Sequence, residues 1–135
     1  MEINLESLKE DEKKIIEYIN SNEKDDFEDI IKENLNDSIM LGLSNIRKNL
    51  VYAYNFEPNS TVLEIGAHLG EITGALCEKC AKVISVEPNE IKAKAILQRY
   101  SDKENLDIIV TEISKIKLEE KFDYIWYFRI CTTNL

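Results

Sequence analysis

Four short apolar runs in the second half of the chain constrain its fold most strongly. They read TVLEIG, KVISVE, LDIIV and FDYIWYF, at residues 61–66, 82–87, 106–110 and 122–128. β-Branched and aromatic residues dominate these runs, which favours strands. Helical patterns over 71–80 and 89–101 follow the first two strands. Strands that alternate with such helices indicate βαβ units, so we predict a doubly wound parallel sheet of about four strands.

Residues 1–56 have a different pattern, in which apolar side chains recur at helical spacing. The three stripes are Ile15, Ile16 and Ile19; Phe27, Ile30, Ile31 and Leu35; and Ile46, Leu50 and Ala53, the last with Ser44 as the expected N-cap. These stripes predict about three helices. The turn cluster EPNS follows at 57–60. We therefore predict an α/β fold, with an N-terminal helical segment over 1–56 and a sheet domain over 57–135.

Composition narrows the class of protein. The formal net charge is −9, which gives no basic surface of the kind that nucleic acids require, so nucleic acid is not an expected partner. No apolar run approaches the ~20 residues of a membrane span. The polar N-terminus does not resemble a signal peptide, and we expect a cytoplasmic protein. Cys77, Cys80 and Cys131 are interpreted as ordinary thiols, and no metal site is predicted.

A loop with two glycines follows the first predicted strand. Ligands of open parallel sheets bind beyond the carboxyl ends of the strands, where this loop lies. Gly66 and Gly70 permit a sharp turn and close approach of a ligand to the backbone. Glu64 would add a fixed negative charge at the end of the strand. Such a charge repels a pyrophosphate and attracts an ammonium or sulfonium group.

The second predicted strand ends in another acid, Glu87. An acid about 20 residues beyond a glycine loop is placed to accept hydrogen bonds from a ribose diol. The loop itself is not a dinucleotide fingerprint, because Glu71 stands where a third glycine is expected, and it is not a P-loop, because no lysine follows Gly70. The predicted ligand is a nucleoside with a positively charged substituent.

These stretches resemble the class I S-adenosylmethionine-dependent methyltransferases. VLEIGAHLG resembles the first motif of that family, (D/E)xGxGxG, whose middle glycine is replaced here by the only histidine of the chain. VISVEPN resembles the second motif, whose acid binds the ribose hydroxyls, and NLDIIVTEI resembles the third strand and the adenine loop. The resemblance implies that S-adenosylmethionine is the cofactor and that its binding residues are Glu64, Gly66, Ala67, His68, Gly70, Glu87, Pro88, Glu112 and Ile113.

The resemblance also implies a Rossmann-like fold, and methyl transfer in which the protein mainly positions the reactants. KFDYIWYF resembles the fourth strand, and the following RICTTNL matches no family motif. Domains of this family continue with further strands, so we expect a truncated domain or one part of a larger protein. No catalytic base is assigned, and it stays open whether the chain is an active enzyme.

Three functions remain open from the sequence. The first is methyl transfer to a small-molecule or glycan-linked acceptor, because residues 43–67 resemble methyltransferase modules found beside glycosyltransferases. The second is an RNA adenine dimethyltransferase, whose first two motifs residues 62–89 resemble, although the acidic charge argues against RNA. The third is a non-catalytic remnant or interaction module. The open edge of a four-stranded sheet would then favour a dimer.

Overall fold

The structure is a computed structural model that describes residues 8–127. Its elements are α1 (Glu10–Ser21), α2 (Glu28–Glu33), α3 (Asp37–Leu43), α4 (Lys48–Tyr52), β1 (Thr61–Ile65), α5 (Thr73–Lys79), β2 (Lys82–Val86), α6 (Glu90–Arg99), β3 (Leu106–Ile109), a 3₁₀ turn (Ile113–Lys115) and β4 (Tyr124–Tyr127). Phe128, the last residue of the fourth predicted strand, and Cys131 lie outside the described residues.

The four strands form one parallel sheet in the order β3-β2-β1-β4. β1 pairs with β2 from Thr61 opposite Lys82 to Ile65 opposite Val86, and it pairs with β4 on its other side. The chain therefore crosses from β3 at one side of the sheet to β4 beside β1, which creates a switch point at the carboxyl end of β1. The predicted α/β fold with a Rossmann-like parallel sheet is confirmed.

Helices α5 and α6 cover one face of this sheet. Val62 and Val83 pack against Leu76 of α5, and Leu106 and Ile108 of β3 pack against Ile96 of α6. The opposite face carries Leu63, Ile84 and Val86, which pack against Ile116 and Phe122 of the connection between β3 and β4. Alternation along each strand thus gives the sheet two apolar faces.

The N-terminal segment packs on the same side as α6. Ile15, Ile16 and Ile19 of α1 are buried, as the sequence predicts, in a core that includes Leu69 of the glycine loop and Ala95 of α6. The division at residues 56 and 57 stays a prediction, but the two parts share this core. None of the helices in the described region is long and apolar enough to cross a membrane.

Arg99 links the two parts of the chain through polar contacts. Its side chain is 0% exposed, and Nε donates to Asp25 Oδ1 over 2.7 Å. Nη1 donates to the carbonyl oxygens of Gly42 (2.8 Å) and Leu69 (3.1 Å). Because these acceptors lie in three separate segments, one guanidinium fixes α3 and the glycine loop relative to α6.

The predicted helices of the N-terminal segment are only partly correct, because the segment contains four helices. Ser44 ends α3 and does not begin the next helix. Ile46 and Leu50 are 52% and 53% exposed. α4 instead buries Val51 and Lys48, whose ammonium group pairs with Asp25. A buried ion pair therefore sets the orientation of α4, and apolar periodicity does not detect such pairs.

Candidate cofactor site

The glycine loop turns sharply at three residues with left-handed backbone. Gly66, His68 and Gly70 have φ values of 72°, 56° and 80°. The amides of Gly66 and Ala67 donate to the carbonyl oxygen of Val86 over 3.1 and 3.3 Å, which ties the loop to the end of β2. His68 adopts this conformation although it carries a side chain, and left-handed backbone at a non-glycine residue costs roughly 1–2 kcal/mol.

The two predicted glycines have different surroundings. A Cβ atom on Gly66 would meet no atom within 4 Å, so the space beside this backbone is open to a ligand. A Cβ atom on Gly70 would lie 2.9 Å from Cε2 of Tyr100, whose hydroxyl donates to the Gly70 carbonyl oxygen. Helix α5 begins at Thr73, two residues after the start of the predicted helical pattern. Because Gly70 has no side chain, the ring of Tyr100 at the end of α6 can pack directly against the glycine loop.

Glu64 is buried under α5 and is 1% exposed. Its Oε1 accepts hydrogen bonds from the hydroxyls of Thr73 (2.6 Å) and Ser85 (2.8 Å), while Oε2 has no partner among the described residues. Burial raises the pKa of Glu64 to about 7, although the two hydroxyl donors oppose this. At neutral pH Glu64 is therefore partly protonated, so it is not the fixed negative charge that the sequence predicts.

Glu87 follows β2, and backbone donors fix both of its carboxylate oxygens. The amide of His68 donates to Oε2 over 2.9 Å, and the amide of Asn89 donates to Oε1 over 3.1 Å. Each carboxylate oxygen can accept a further hydrogen bond. Burial raises the pKa of Glu87, with the two amides and Lys92 opposing the shift. The arrangement leaves two adjacent acceptors that match the two hydroxyls of a ribose. Pro88, next in the chain, is exposed.

The His68 ring lies between two carboxylates. Nδ1 is 2.7 Å from Glu71 Oε1, and Nε2 is 3.1 Å from Glu12 Oε1 on α1. Burial lowers the pKa of His68, but Glu71 and Glu12 outweigh it and the pKa lies above its ordinary value. Burial raises the pKa of Glu12, but His68, the Lys9 amide and Lys92 reverse this and lower the pKa to about 2.

A cavity of about 390 Å³ lies between α1, α3 and the glycine loop. Its charged lining residues include Lys9, Glu12, Arg47, His68, Glu71 and Lys92. Groups of both signs thus line one cavity beside the loop, at the carboxyl end of the sheet. Sequence reasoning missed Glu12, Arg47 and Lys92, because they belong to no motif and reach the loop only through the packing of the N-terminal helices.

Glu112 and Ile113 lie after β3 and are both exposed. The Glu112 carboxylate pairs with Lys115 over 3.4 Å, within the same short turn. β3 neighbours β2 in the sheet, so these residues follow the strand next to Glu87. Their predicted contact with adenine stays a prediction.

Two of the three cysteines lie inside the fold. Cys77 and Cys80 are free and buried. Burial raises the pKa of the Cys77 thiol to about 12 and also raises the pKa of Cys80. Both side chains are therefore protonated at neutral pH and behave as small apolar groups.

Together, these features define a class of protein: a Rossmann-like α/β fold with a glycine loop after β1 and a buried acid after β2. Solved structures agree. Phosphoethanolamine N-methyltransferase 1 from Haemonchus contortus, in complex with phosphoethanolamine and S-adenosylhomocysteine, matches with a TM-score of 0.60 and 20% identity, over 86% of this chain and 24% of that chain. A dimethyladenosine transferase from Plasmodium falciparum matches with a TM-score of 0.55 and 26% identity, over 62% and 30% of the two chains.

Sequence relatives point to the same family. A probable ribosomal RNA small subunit methyltransferase A from Methanosarcina mazei is 36% identical over 71 residues, which are 53% of this chain and 26% of that protein. The chain thus spans about a quarter of the length of the relatives that it matches first. No family model matches. The chain is a relative of the S-adenosylmethionine-dependent methyltransferases with their Rossmann-like fold, so the resemblance found in the sequence is confirmed, and the predicted cofactor agrees with these relatives.

The same relatives overturn the prediction about partners. Several of them are named for methyl transfer to ribosomal RNA, which contradicts a small-molecule or glycan-linked acceptor and the exclusion of nucleic acid. The error came from the net charge of −9. RNA binding depends on local basic surfaces. This chain spans about a quarter of the length of its relatives, so its net charge does not reveal whether such a surface exists.

Proposed function

We propose that this chain is the cofactor-binding part of an S-adenosylmethionine-dependent methyltransferase that acts on adenine in ribosomal RNA. The observation that carries the proposal is the 36% identity to the Methanosarcina mazei protein named as a probable ribosomal RNA small subunit methyltransferase A. The name of the Plasmodium falciparum neighbour, a dimethyladenosine transferase, supports adenine as the acceptor base.

The site has polar groups for both ends of S-adenosylmethionine, the nucleoside and the amino acid. The two fixed oxygens of Glu87 would accept hydrogen bonds from the ribose hydroxyls. The open backbone at Gly66 would allow the nucleoside to approach closely. The neighbouring cavity offers Arg47 and Lys92 to a carboxylate, and Glu71 to an ammonium group. A zwitterionic amino acid end carries both of these charges.

Methyl transfer requires mainly that the protein align the methyl group with the acceptor. S-adenosylmethionine supplies an activated methyl group when it is bound. The residues of this chain would fix the ribose at Glu87 and exclude water from the buried side of the loop, which holds the reacting groups in line. No side chain of the described region is assigned as a general base.

The first test is calorimetric titration of the 135-residue chain with S-adenosylhomocysteine. We expect binding by the parent protein and a loss of at least about tenfold in affinity for Glu87→Ala, because a buried charged acceptor is removed. Glu90→Ala is the matched control, since Glu90 lies three positions away and pairs with Lys94 at the surface. A folded parent protein that does not bind S-adenosylhomocysteine would contradict the proposal.

The second test addresses the acceptor. The protein is incubated with tritiated S-adenosylmethionine and small-subunit ribosomal RNA, and labelled nucleosides are separated after digestion. We expect label in methylated adenosine, and much less label in a matched reaction with Glu87→Ala at a cofactor concentration below saturation. Binding of the cofactor without transfer to RNA, combined with transfer to another acceptor, would refute the RNA part of the proposal alone.

A further inference from the structure

The contacts of the His68 ring define its protonation state. Both ring nitrogens lie within hydrogen-bond distance of carboxylate oxygens, Nδ1 of Glu71 and Nε2 of Glu12. A neutral imidazole has one donor and one acceptor nitrogen, whereas an ionised carboxylate offers acceptors only. A neutral ring would therefore place a lone pair against one carboxylate. Only the imidazolium form donates to both.

The other charges around the ring come from three neighbouring parts of the chain. At the start of α1, the N-cap residue Lys9 and Asp11 of the first turn line the same cavity as Glu12. On α6, Lys92 Nζ is 3.1 Å from the same Glu12 oxygen that the ring contacts. Before α4, Arg47 Nη1 is 3.7 Å from Glu71 Oε1. Each carboxylate that holds the ring thus also has a permanent cation beside it, which keeps the carboxylate ionised.

The backbone of the same histidine holds the acid that faces the ribose. The His68 amide donates to Glu87 Oε2 over 2.9 Å, and it points there because His68 has left-handed backbone. Glu71 closes the turn from the other side, since its Oε2 accepts from the Leu69 amide over 3.3 Å. The ring contacts and the direction of the amide therefore belong to one rigid unit.

We propose that Glu12 is a positioning residue for cofactor binding. By holding the His68 imidazolium, Glu12 keeps the loop in its left-handed turn and keeps the Glu87 carboxylate aimed at the ribose hydroxyls. The N-terminal helix α1 is then part of the cofactor site without touching the cofactor. This inference rests on the proposed function, because it requires that S-adenosylmethionine binds at Glu87.

The histidine can be observed directly, because it is the only one in the chain. A proton NMR titration of its ring signals gives the pKa of His68 in the 135-residue chain. We expect a value above 6.5 in the parent and a lower value in Glu12→Ala. The control is Glu10→Ala, since Glu10 lies on the same helix, is exposed and pairs with Lys13 at the surface. An ordinary or lowered pKa in the parent protein would overturn the proposal.

Titration with S-adenosylhomocysteine at several pH values measures how the contact between Glu12 and His68 affects ligand affinity. In the parent, affinity falls as the pH rises through the pKa of His68, because the neutral ring releases one carboxylate. Glu12→Ala binds about tenfold more weakly at low pH, the loss typical of one charge-assisted hydrogen bond. Glu12→Gln restores most of the affinity and removes the pH dependence, because the amide can donate to Nε2 of a neutral ring.

The outcomes separate this inference from the proposed function. A parent protein that binds the ligand with the same affinity and pH profile as Glu12→Ala overturns the inference and leaves the proposed function standing. A folded parent that does not bind at any pH overturns both. Circular dichroism of each variant checks folding, and Glu12→Gln, which preserves the shape of the side chain, decides the outcome if Glu12→Ala does not fold.

Discussion

At the scale of single residues, the surroundings of a motif residue decide its chemistry more than its place in the motif. Glu64 occupies the acidic position of the first motif, yet it is buried between Thr73 and Ser85. Glu87 is also buried, but backbone amides fix both of its oxygens. The two acids therefore differ in their surroundings, and the predicted cofactor contact of each stays a prediction.

The raised pKa of Glu64 has a consequence for stability. Between pH 4.5 and about 7 the folded protein retains a proton that the unfolded chain releases, so the free energy of unfolding falls as the pH rises through this window. Glu64→Gln cannot titrate. We expect it to remove about 3 kcal/mol from the difference in stability between pH 4.5 and pH 8. Urea unfolding of both proteins across this range measures the change. Parallel stability curves for the two proteins would disprove the raised pKa.

The two glycines of the loop should respond differently to alanine. Gly66→Ala strains a left-handed residue in open space, so we expect a loss of about 1 kcal/mol in stability and a clear loss of affinity for S-adenosylhomocysteine. Gly70→Ala adds a clash with the Tyr100 ring, and we expect a loss of about 3 kcal/mol. Urea unfolding and calorimetry on the same samples separate the effects. Equal affinity of Gly66→Ala and the parent protein would show that no ligand approaches Gly66.

At the scale of elements, Arg99 shows how one helix is joined to the N-terminal segment. Arg99→Met removes the buried guanidinium that donates to Asp25 and to the carbonyl oxygens of Gly42 and Leu69, and among the described residues leaves only Lys48 to pair with Asp25. We expect a loss of about 3 kcal/mol in unfolding free energy, the range for breaking a buried ion pair. Lys94→Met is the control on the same helix, because Lys94 is exposed and pairs with Glu90 at the surface. Losses of similar size in both variants would refute the structural role of Arg99.

Contacts between distant segments also explain which helices and strands could be predicted from the sequence. The four strands and the two helices between them were predictable, because each strand is a continuous apolar run and because α6 has an Asn89 N-cap. The buried face of α4 was predicted wrongly, because Lys48 is buried through its ion pair with Asp25. Glu87 was found by its spacing from Gly66, whereas Glu12 and Lys92 reach the site only through tertiary packing. Local patterns contain no information on such contacts between distant segments.

At the scale of the whole molecule, the shared core predicts that the N-terminal segment and the sheet unfold together. Ile15, Ile19 and Leu43 of the first part pack with Leu69 and Ala95 of the second. If this core is intact, the loss of one part exposes the apolar surface of the other, and a two-state transition results. A segment that moved as a separate lid would unfold before the sheet.

Two probes in the chain can distinguish these cases. Trp126 is the only tryptophan, it lies in β4 beside Phe56 at a ring distance of 5.7 Å, and its fluorescence reports on the sheet. Circular dichroism at 222 nm reports mainly on helices, four of which precede the sheet. We expect coincident urea midpoints from both probes. Ile19→Ala, which removes about 2–4 kcal/mol of buried packing in the segment, should shift both midpoints equally. A shift seen by circular dichroism alone would mean that α1 is not coupled to the sheet, and the proposed role of Glu12 would then lose its structural basis.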